Sequence, residues 1–267
     1  MKDDPKIGLA LGAGASRGLA HIGVLQALEE HGVIPDLIAG SSIGAIIGAL
    51  YAAGISPKML EGISENLDLK PYYDVGIPRL GFIKGEKIEE LIRLLTKGKT
   101  FDQLRIPLSI TAVDLKTNQG VILNEGLVYK AVRASISIPG IFVPVFHGDQ
   151  VLVDGGLLER LPTKVVRQMG ADIIIGVDVG FRGQHDDATN ILGIIFQSFE
   201  VMELAIVNTG FHEDDIHIYP DLADINPLSF ERVGDCIEEG RRVTLEAIDE
   251  IKERIRSFKT KPLQGPG

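Results

Sequence analysis

Cysteine is nearly absent from this 267-residue sequence. The single Cys236 excludes an internal disulfide and any metal site built from cysteines. That scarcity fits a reducing compartment. Basic residues are also in deficit, with 27 Lys+Arg against 37 Asp+Glu and a formal charge of −10. Nucleic-acid binding depends on cations that neutralise phosphates, so this balance argues against it. It also weakens adsorption to anionic lipid. The first residues, Met-Lys-Asp-Asp-Pro-Lys, lack an apolar stretch, so no secretory signal is expected there. No internal repeat, low-complexity tract or metal-ligand spacing stands out, and no metal or cofactor is expected.

What is present is globular composition. Apolar residues make up 45% and charged residues 24%, enough to bury a sizeable core. Length alone allows one or two domains. Residues 37–57, LIAGSSIGAIIGALYAAGISP, are uncharged throughout, with Gly40, Gly44 and Gly48 at GxxxG spacing. A membrane helix is one reading. However, Gly-Ser-Ser is turn punctuation, and no Lys/Arg cluster or aromatic belt flanks the run. A buried strand, a sharp turn and a buried helix explain the same residues.

Along the chain, strand and helix patterns alternate. Strands are expected at Ile7–Leu11, Leu37–Ala39, Ile106–Val113, Val121–Leu123, Gln150–Val153 and Ile173–Val179. Helices are expected at Arg17–His31, Ile43–Ala53, from Ser56-Pro57, at Glu86–Leu95, Leu127–Ala134, Thr163–Met169, Ile191–Val207 and Phe230–Phe258. Such alternation predicts a mostly parallel sheet covered on both faces. Leu67–Gly85 is irregular and reads as a surface loop or as part of a lid.

Three places carry chemistry. Gly40-Ser41-Ser42-Ile43-Gly44 reads G-x-S-x-G between a strand and a helix, the context of a nucleophile elbow. Glycines two residues either side leave room for the chain to reverse at Ser42. The following helix turns its N-terminal amides toward developing negative charge. The bland alternative is a turn of small residues. Second, Gly12-Ala13-Gly14-Ala15-Ser16-Arg17-Gly18 lies between the first strand and first helix. A dinucleotide fingerprint starting at Gly12 would need glycine where Arg17 stands. An oxyanion hole, with the amides of Ala13, Gly14 and Ala15 converging on one spot, suits the loop better. Third, Asp154-Gly155-Gly156 closes a strand. By itself this is mostly a turn signature, and Asp114, Asp149 and Asp178 are competing strand-end acids.

Taken in order, these motifs resemble the patatin-like phospholipase family, in particular short bacterial members related to the neuropathy target esterase catalytic domain. The resemblance spans about residues 6–180. It rests on the glycine-rich loop with Arg17-Gly18, the G-S-S-I-G elbow, T-A-V-D-L at 111–115, A-S-I-S-I-P-G at 134–140, and Asp-Gly-Gly followed by Leu161-Pro162. It implies a three-layer α/β/α sandwich in one domain over 1–267. A cap or lid segment would fall at about 56–100 and a helical region at about 185–260. It implies a serine lipid acyl hydrolase with a Ser42–Asp154 dyad and no histidine, acting on phospholipid, lysophospholipid or simpler esters. Gly40, Gly44, Gly155, Gly156, Arg17 and Gly18 are its supporting motif residues. One departure stands out: positions 13–18 read A-G-A-S-R-G, where the family commonly has G-x-G-x-x-G.

Two alternatives accompany this reading. A Ser-His-Asp esterase would have its histidine after the acid, so His185, His212 or His217 would serve, while His21 reads as a packing or surface residue. A lipid-sensing regulator could keep the same fold. Helix 191–207 reads as core, an acyl pocket wall, an oligomer contact or a lipid-dipping element. The basic residues Lys252, Arg254, Arg256, Lys259 and Lys261 read as complements to a helix C-terminus, or as ligands for lipid phosphates. A cytoplasmic protein with transient peripheral membrane contact is the expected setting.

Overall fold

A computed structural model describes residues 4–68, 70–75, 80–180, 191–207, 212 and 215–260. The strands are β1 (Ile7–Leu11), β2 (Leu37–Gly40), β3 (Gly81–Ile83), β4 (Leu108–Asp114), β5 (Gln119–Leu123), β6 (Gly140–Phe142), β7 (Val145–His147), β8 (Gln150–Asp154), β9 (Ile173–Val177) and β10 (Ile216–Ile218). The helices are α1 (Ala20–Glu30), α2 (Ile43–Ala52), α3 (Pro57–Asn66), α4 (Glu86–Leu95), α5 (Val128–Ser135), α6 (Thr163–Gln168), α7 (Ile191–Val207) and α8 (Val233–Thr260).

The main sheet runs β10-β9-β1-β2-β4-β8-β7, with β5 also paired to β4. Its centre is parallel: β1 pairs with β2 and β9, β9 with β10, and β2 with β4. Antiparallel pairing of β8 with β4 and β7 closes one end. All residues of β1, β4 and β9 are buried, as strands covered on both faces must be. One face carries Leu9, Leu11, Ile38, Ile110 and Ile175 against α1, α2, α5 and α8. The other carries Ala10, Ala39 and Ile174 against Val165 and Val166 of α6. The fold is therefore three-layered, with unequal helical layers.

Two details explain how α2 reaches the sheet. A Cβ on Gly44 would stand 2.1 Å from the Leu11 carbonyl oxygen, so only glycine lets the start of α2 lie against the end of β1. A Cβ on Gly18 would stand 2.1 Å from Ile43 for the same reason. The glycine spacing of 40–48 thus serves a helix packed on strands. Among the described residues, no helix is long and apolar enough to cross a membrane.

Most expected elements form within a residue or two of their expected bounds. The helix expected from Arg17 instead begins as a 3-10 turn over Ala15–Leu19 and becomes α-helical at Ala20. Ser56 caps α3, its hydroxyl accepting from Met59 N–H at 3.3 Å, with Pro57 in the first turn. Within 56–100, α3 packs on α1 and α8, and α4 packs on α5. The stretch read as irregular contains β3, which pairs with β6 in a separate two-stranded sheet. In the tail, Arg254, Arg256 and Lys259 lie beside Glu250, Glu253 and Asp4, while Lys261 lies outside the described residues.

Candidate active site

Ser42 sits between β2 and α2 with φ 52 and ψ −120, a left-handed value that non-glycine residues avoid. Holding it there takes a network. The Ser42 N–H donates to Ser135 Oγ at 2.9 Å, from the end of α5. Ser41 N–H donates to the Leu11 carbonyl at 3.1 Å, and Gly44 N–H and Ala45 N–H close the turn onto Ser41 and Ser42. Strain of this kind persists only where the surroundings over-determine it, and it concentrates at functional sites.

Asp154 ends β8, opposite Ala112 of β4. Its N–H donates to the Ser137 carbonyl at 3.0 Å, so the A-S-I-S-I-P-G segment supports both residues. The Ser42 hydroxyl donates to Asp154 Oδ2 at 2.6 Å. The Gly156 N–H donates to Asp154 Oδ1 at 2.8 Å, fixing the other oxygen. Burial pushes the Asp154 carboxyl up to about 7, although the Ser42 and Gly156 donors pull the other way. Desolvation is the larger effect. The competing acids are otherwise engaged. Asp114 accepts from Val151, Lys116 and Thr117, which hold it below its ordinary value. Asp178 pairs with Arg160 at 2.6 Å, and Asp149 is exposed.

The glycine-rich loop forms the facing wall, and Ala13, Gly14, Ala15, Ser42 and Asp154 line one cleft. One expectation needs correction here. The Ala13 N–H donates to the Arg160 carbonyl at 2.9 Å, so it does not point at the serine. That narrows the candidate oxyanion donors from this loop to Gly14 and Ala15. Ala15 adopts φ 50, a left-handed conformation that glycine takes freely and alanine only at a cost. Arg17 is buried away from the serine. Its Nε donates to the Ile225 carbonyl at 3.0 Å and its guanidinium pairs with Glu200 of α7, tying the loop to that helix. Gly40 and Gly155 have backbone or Thr111 atoms where a Cβ would go, so both are packing positions.

The histidines take other roles. His21 is fully buried, and its Nε2 lies 2.9 Å from the Gly12 carbonyl. Burial lowers it to about 4, so it is neutral and braces the loop from behind. His212 and His217 are exposed and do not line the cleft among the described residues; His185 lies outside them. The Ser42 hydroxyl bonds the Asp154 carboxylate directly, and no histidine among the described residues lines the cleft with them.

Helix α7 supplies the remaining wall through Phe196, Phe199, Glu200 and Glu203. Reading the sequence for motifs missed these residues. A signal was present, because Glu200 and Glu203 are the only charged residues of Ile191–Val207 and fall three apart, on one helical face.

A patatin-like phospholipase profile matches residues 9–167, from β1 through most of α6. The chain belongs to the patatin-like phospholipase family. It is 37% identical over 178 residues to an uncharacterised NTE family protein of Mycobacterium bovis, covering 66% of this chain and 49% of that one. It is 34% identical over 191 residues to human patatin-like phospholipase domain-containing protein 6, covering 68% of this chain and 14% of that one. The chain thus spans half or less of the length of these curated relatives. Among solved structures it is similar to VipD from Legionella pneumophila, with a TM-score of 0.67 at 14% identity over 93% of this chain and 67% of VipD. At that identity the likeness concerns the fold. The profile stops short of α7, so the acidic wall of the cleft lies outside the matched segment.

Proposed function

We propose that this patatin-like chain hydrolyses acyl esters of lipids through a Ser42–Asp154 dyad. The observation that carries the reading is the 2.6 Å hydrogen bond from the Ser42 hydroxyl to a buried carboxylate. Serine is a weak nucleophile, and a carboxylate of ordinary pKa is a poor base for it. Asp154, raised to about 7, is matched to proton transfer near neutrality. As Oγ attacks the ester carbonyl, its proton passes to Asp154 Oδ2. The Gly14 and Ala15 amides, with the N-terminus of α2, stabilise the oxyanion. The alcohol then leaves and water releases the acid from Ser42.

The wall of Ile138, Pro139, Leu157, Phe196 and Phe199 suits an acyl chain. A relative from Debaryomyces hansenii, 32% identical over 180 residues, is named a lysophospholipase, which favours a lysophospholipid or similar single-chain ester. The protein works in the cytoplasm with transient contact at a membrane surface, where such substrates reside.

The test is fluorophosphonate labelling with peptide mapping, alongside ester turnover, on wild type, Ser42→Ala and Asp154→Asn. Labelling is expected on Ser42 and absent from Ser42→Ala. Turnover is expected to fall by about 10³ or more in both variants. A well-folded wild type that neither labels nor turns over esters overturns the proposal.

A further inference from the structure

Helix α7 keeps apolar residues on its exposed side and turns its only charged residues inward. Ile191, Ile194, Val201 and Met202 are exposed, while its only acids, Glu200 and Glu203, face the cleft. One turn apart, the two acids meet different surroundings. Glu200 is buried and paired with Arg17. Glu203 is partly buried and faces the Asp-Gly-Gly turn. Its Oε1 lies 2.4 Å from the point where a Cβ on Gly156 would stand, and Asp154 Oδ1 lies 3.2 Å from that same point. The second glycine of the motif therefore makes room for a second carboxyl beside the first.

We propose that Glu203 is a second acid–base group of this active site, protonating the leaving alcohol in acylation and activating water in deacylation. The inference rests on the Ser42–Asp154 reading. The protons balance over one cycle. In acylation the Ser42 proton goes to Asp154, the Oγ–acyl bond forms, and the acyl–alkoxy bond breaks. The Glu203 proton goes to the departing oxygen. The site then holds a protonated Asp154 and an ionised Glu203. In deacylation Glu203 takes a proton from water as the hydroxide adds to the acyl carbon. The Oγ–acyl bond breaks, and Asp154 returns its proton to Ser42. Each carboxyl ends as it began.

The electrostatics fit this order. The groups facing Glu203 are Asp154 at the end of β8, Arg160 beyond the following 3-10 turn, Asp178 after β9, and Glu200 on α7 itself. Arg160 is held by Asp178 and Glu200 by Arg17, so each of these charges already has a partner. Burial and the nearby Asp154 push Glu203 up to about 8, which keeps it a proton donor at neutral pH. Two carboxyls in one cleft do not both ionise readily, and one proton between them is the favoured state.

The experiment compares wild type, Glu203→Gln and Glu203→Asp on a p-nitrophenyl ester and on an alkyl ester of the same acid. Nitrophenolate leaves without help from an acid; an alkoxide does not. For Glu203→Gln we expect a stoichiometric nitrophenol burst followed by a slow phase about 10²-fold below wild type, with the acyl group trapped on Ser42. Alkyl-ester turnover should fall by a similar factor. The alkaline fall in wild-type alkyl-ester rates, centred near 8, should disappear. Alkyl-ester rates within a few-fold of wild type overturn the proposal. So does loss of burst and labelling together, which would mean that Glu203 only supports the fold around Ser42. If Glu203→Gln does not fold, Glu203→Asp decides: a retained burst with both steady-state rates slowed supports the relay, and steady-state rates within a few-fold of wild type overturn it. A wild type that lacks both burst and labelling rejects the dyad itself.

Discussion

The ends of β8 and β9 carry the same local design with opposite outcomes. Each presents a buried aspartate followed two residues later by a glycine whose N–H donates back to it. Gly156 bonds Asp154 at 2.8 Å, and Gly180 bonds Asp178 at 3.0 Å. The difference is the other partner. Asp178 meets the Arg160 guanidinium, whereas Asp154 meets a hydroxyl. A carboxylate locked to a cation is a strut. One that is buried and meets neutral donors is poised to take a proton. The chemistry of a strand-end acid is therefore set by what the fold brings to it.

The largest effect expected from breaking this contrast is on the structural side. Arg160 is 1% exposed, and its Nε already lacks a partner. Asp178→Asn would leave that guanidinium buried and unpaired, at a cost of about 3–5 kcal/mol in unfolding free energy. Urea titration measures it. A loss below about 1 kcal/mol would mean that the pair is dispensable and the two aspartates less different than their partners imply.

The matching change at β8 is expected to have the opposite sign. The folded Asp154 value near 7 lies above its ordinary 3.8, so the folded state holds the proton more tightly than the unfolded state. Stability is then lost as pH rises from about 4 through 7. Asp154→Asn removes that loss. Near pH 8 the variant should be more stable than wild type by on the order of 2–4 kcal/mol, with the gap closing toward pH 4. Thermal melts across this range test it. A gap that does not change with pH would show that the carboxylate is better solvated than its burial implies.

How far the sequence disclosed this contrast differs by element. The G-S-S-I-G elbow and the Asp-Gly-Gly turn were legible because their residue types and order are restrictive. Which acid would meet Ser42 could not be settled by position alone, since Asp114, Asp154 and Asp178 all end strands. Order of motifs favoured Asp154. Partners settle the rest, and Arg160 with Asp178 is a pairing no local pattern announces. The three-residue strands β3, β6, β7 and β10 were missed because so short a run shows no periodicity. The Ala13 amide was misassigned because its acceptor, the Arg160 carbonyl, comes from a distant segment. Helix α7 was legible as a helix. Its inward acids were legible only as a pair on one face, without the Gly156 gap that gives one of them a place beside Asp154.

The smallest effect separates the hydroxyl partner of Asp154 from the β9 end by strain. Positive φ at non-glycine residues occurs at Ser42 and Ala15 beside the cleft, and none is found at Asp178 or Val179. Comparing Ser42→Gly with Ser42→Ala isolates that strain, because both lose the hydroxyl and its bond to Asp154. Glycine adopts φ 52 without penalty but gives the unfolded chain about 0.5–1 kcal/mol more entropy to lose. A strained non-glycine residue costs about 1–3 kcal/mol. The difference should leave Ser42→Gly more stable than Ser42→Ala by about 1 kcal/mol, measured near pH 5, where Asp154 is protonated in both. Equal stability would mean that the turn holds its residue without appreciable strain. A clear advantage for glycine would mean that the turn after β2 gives up stability to hold the oxygen that meets Asp154, a cost that the Asp178 end of β9 does not carry.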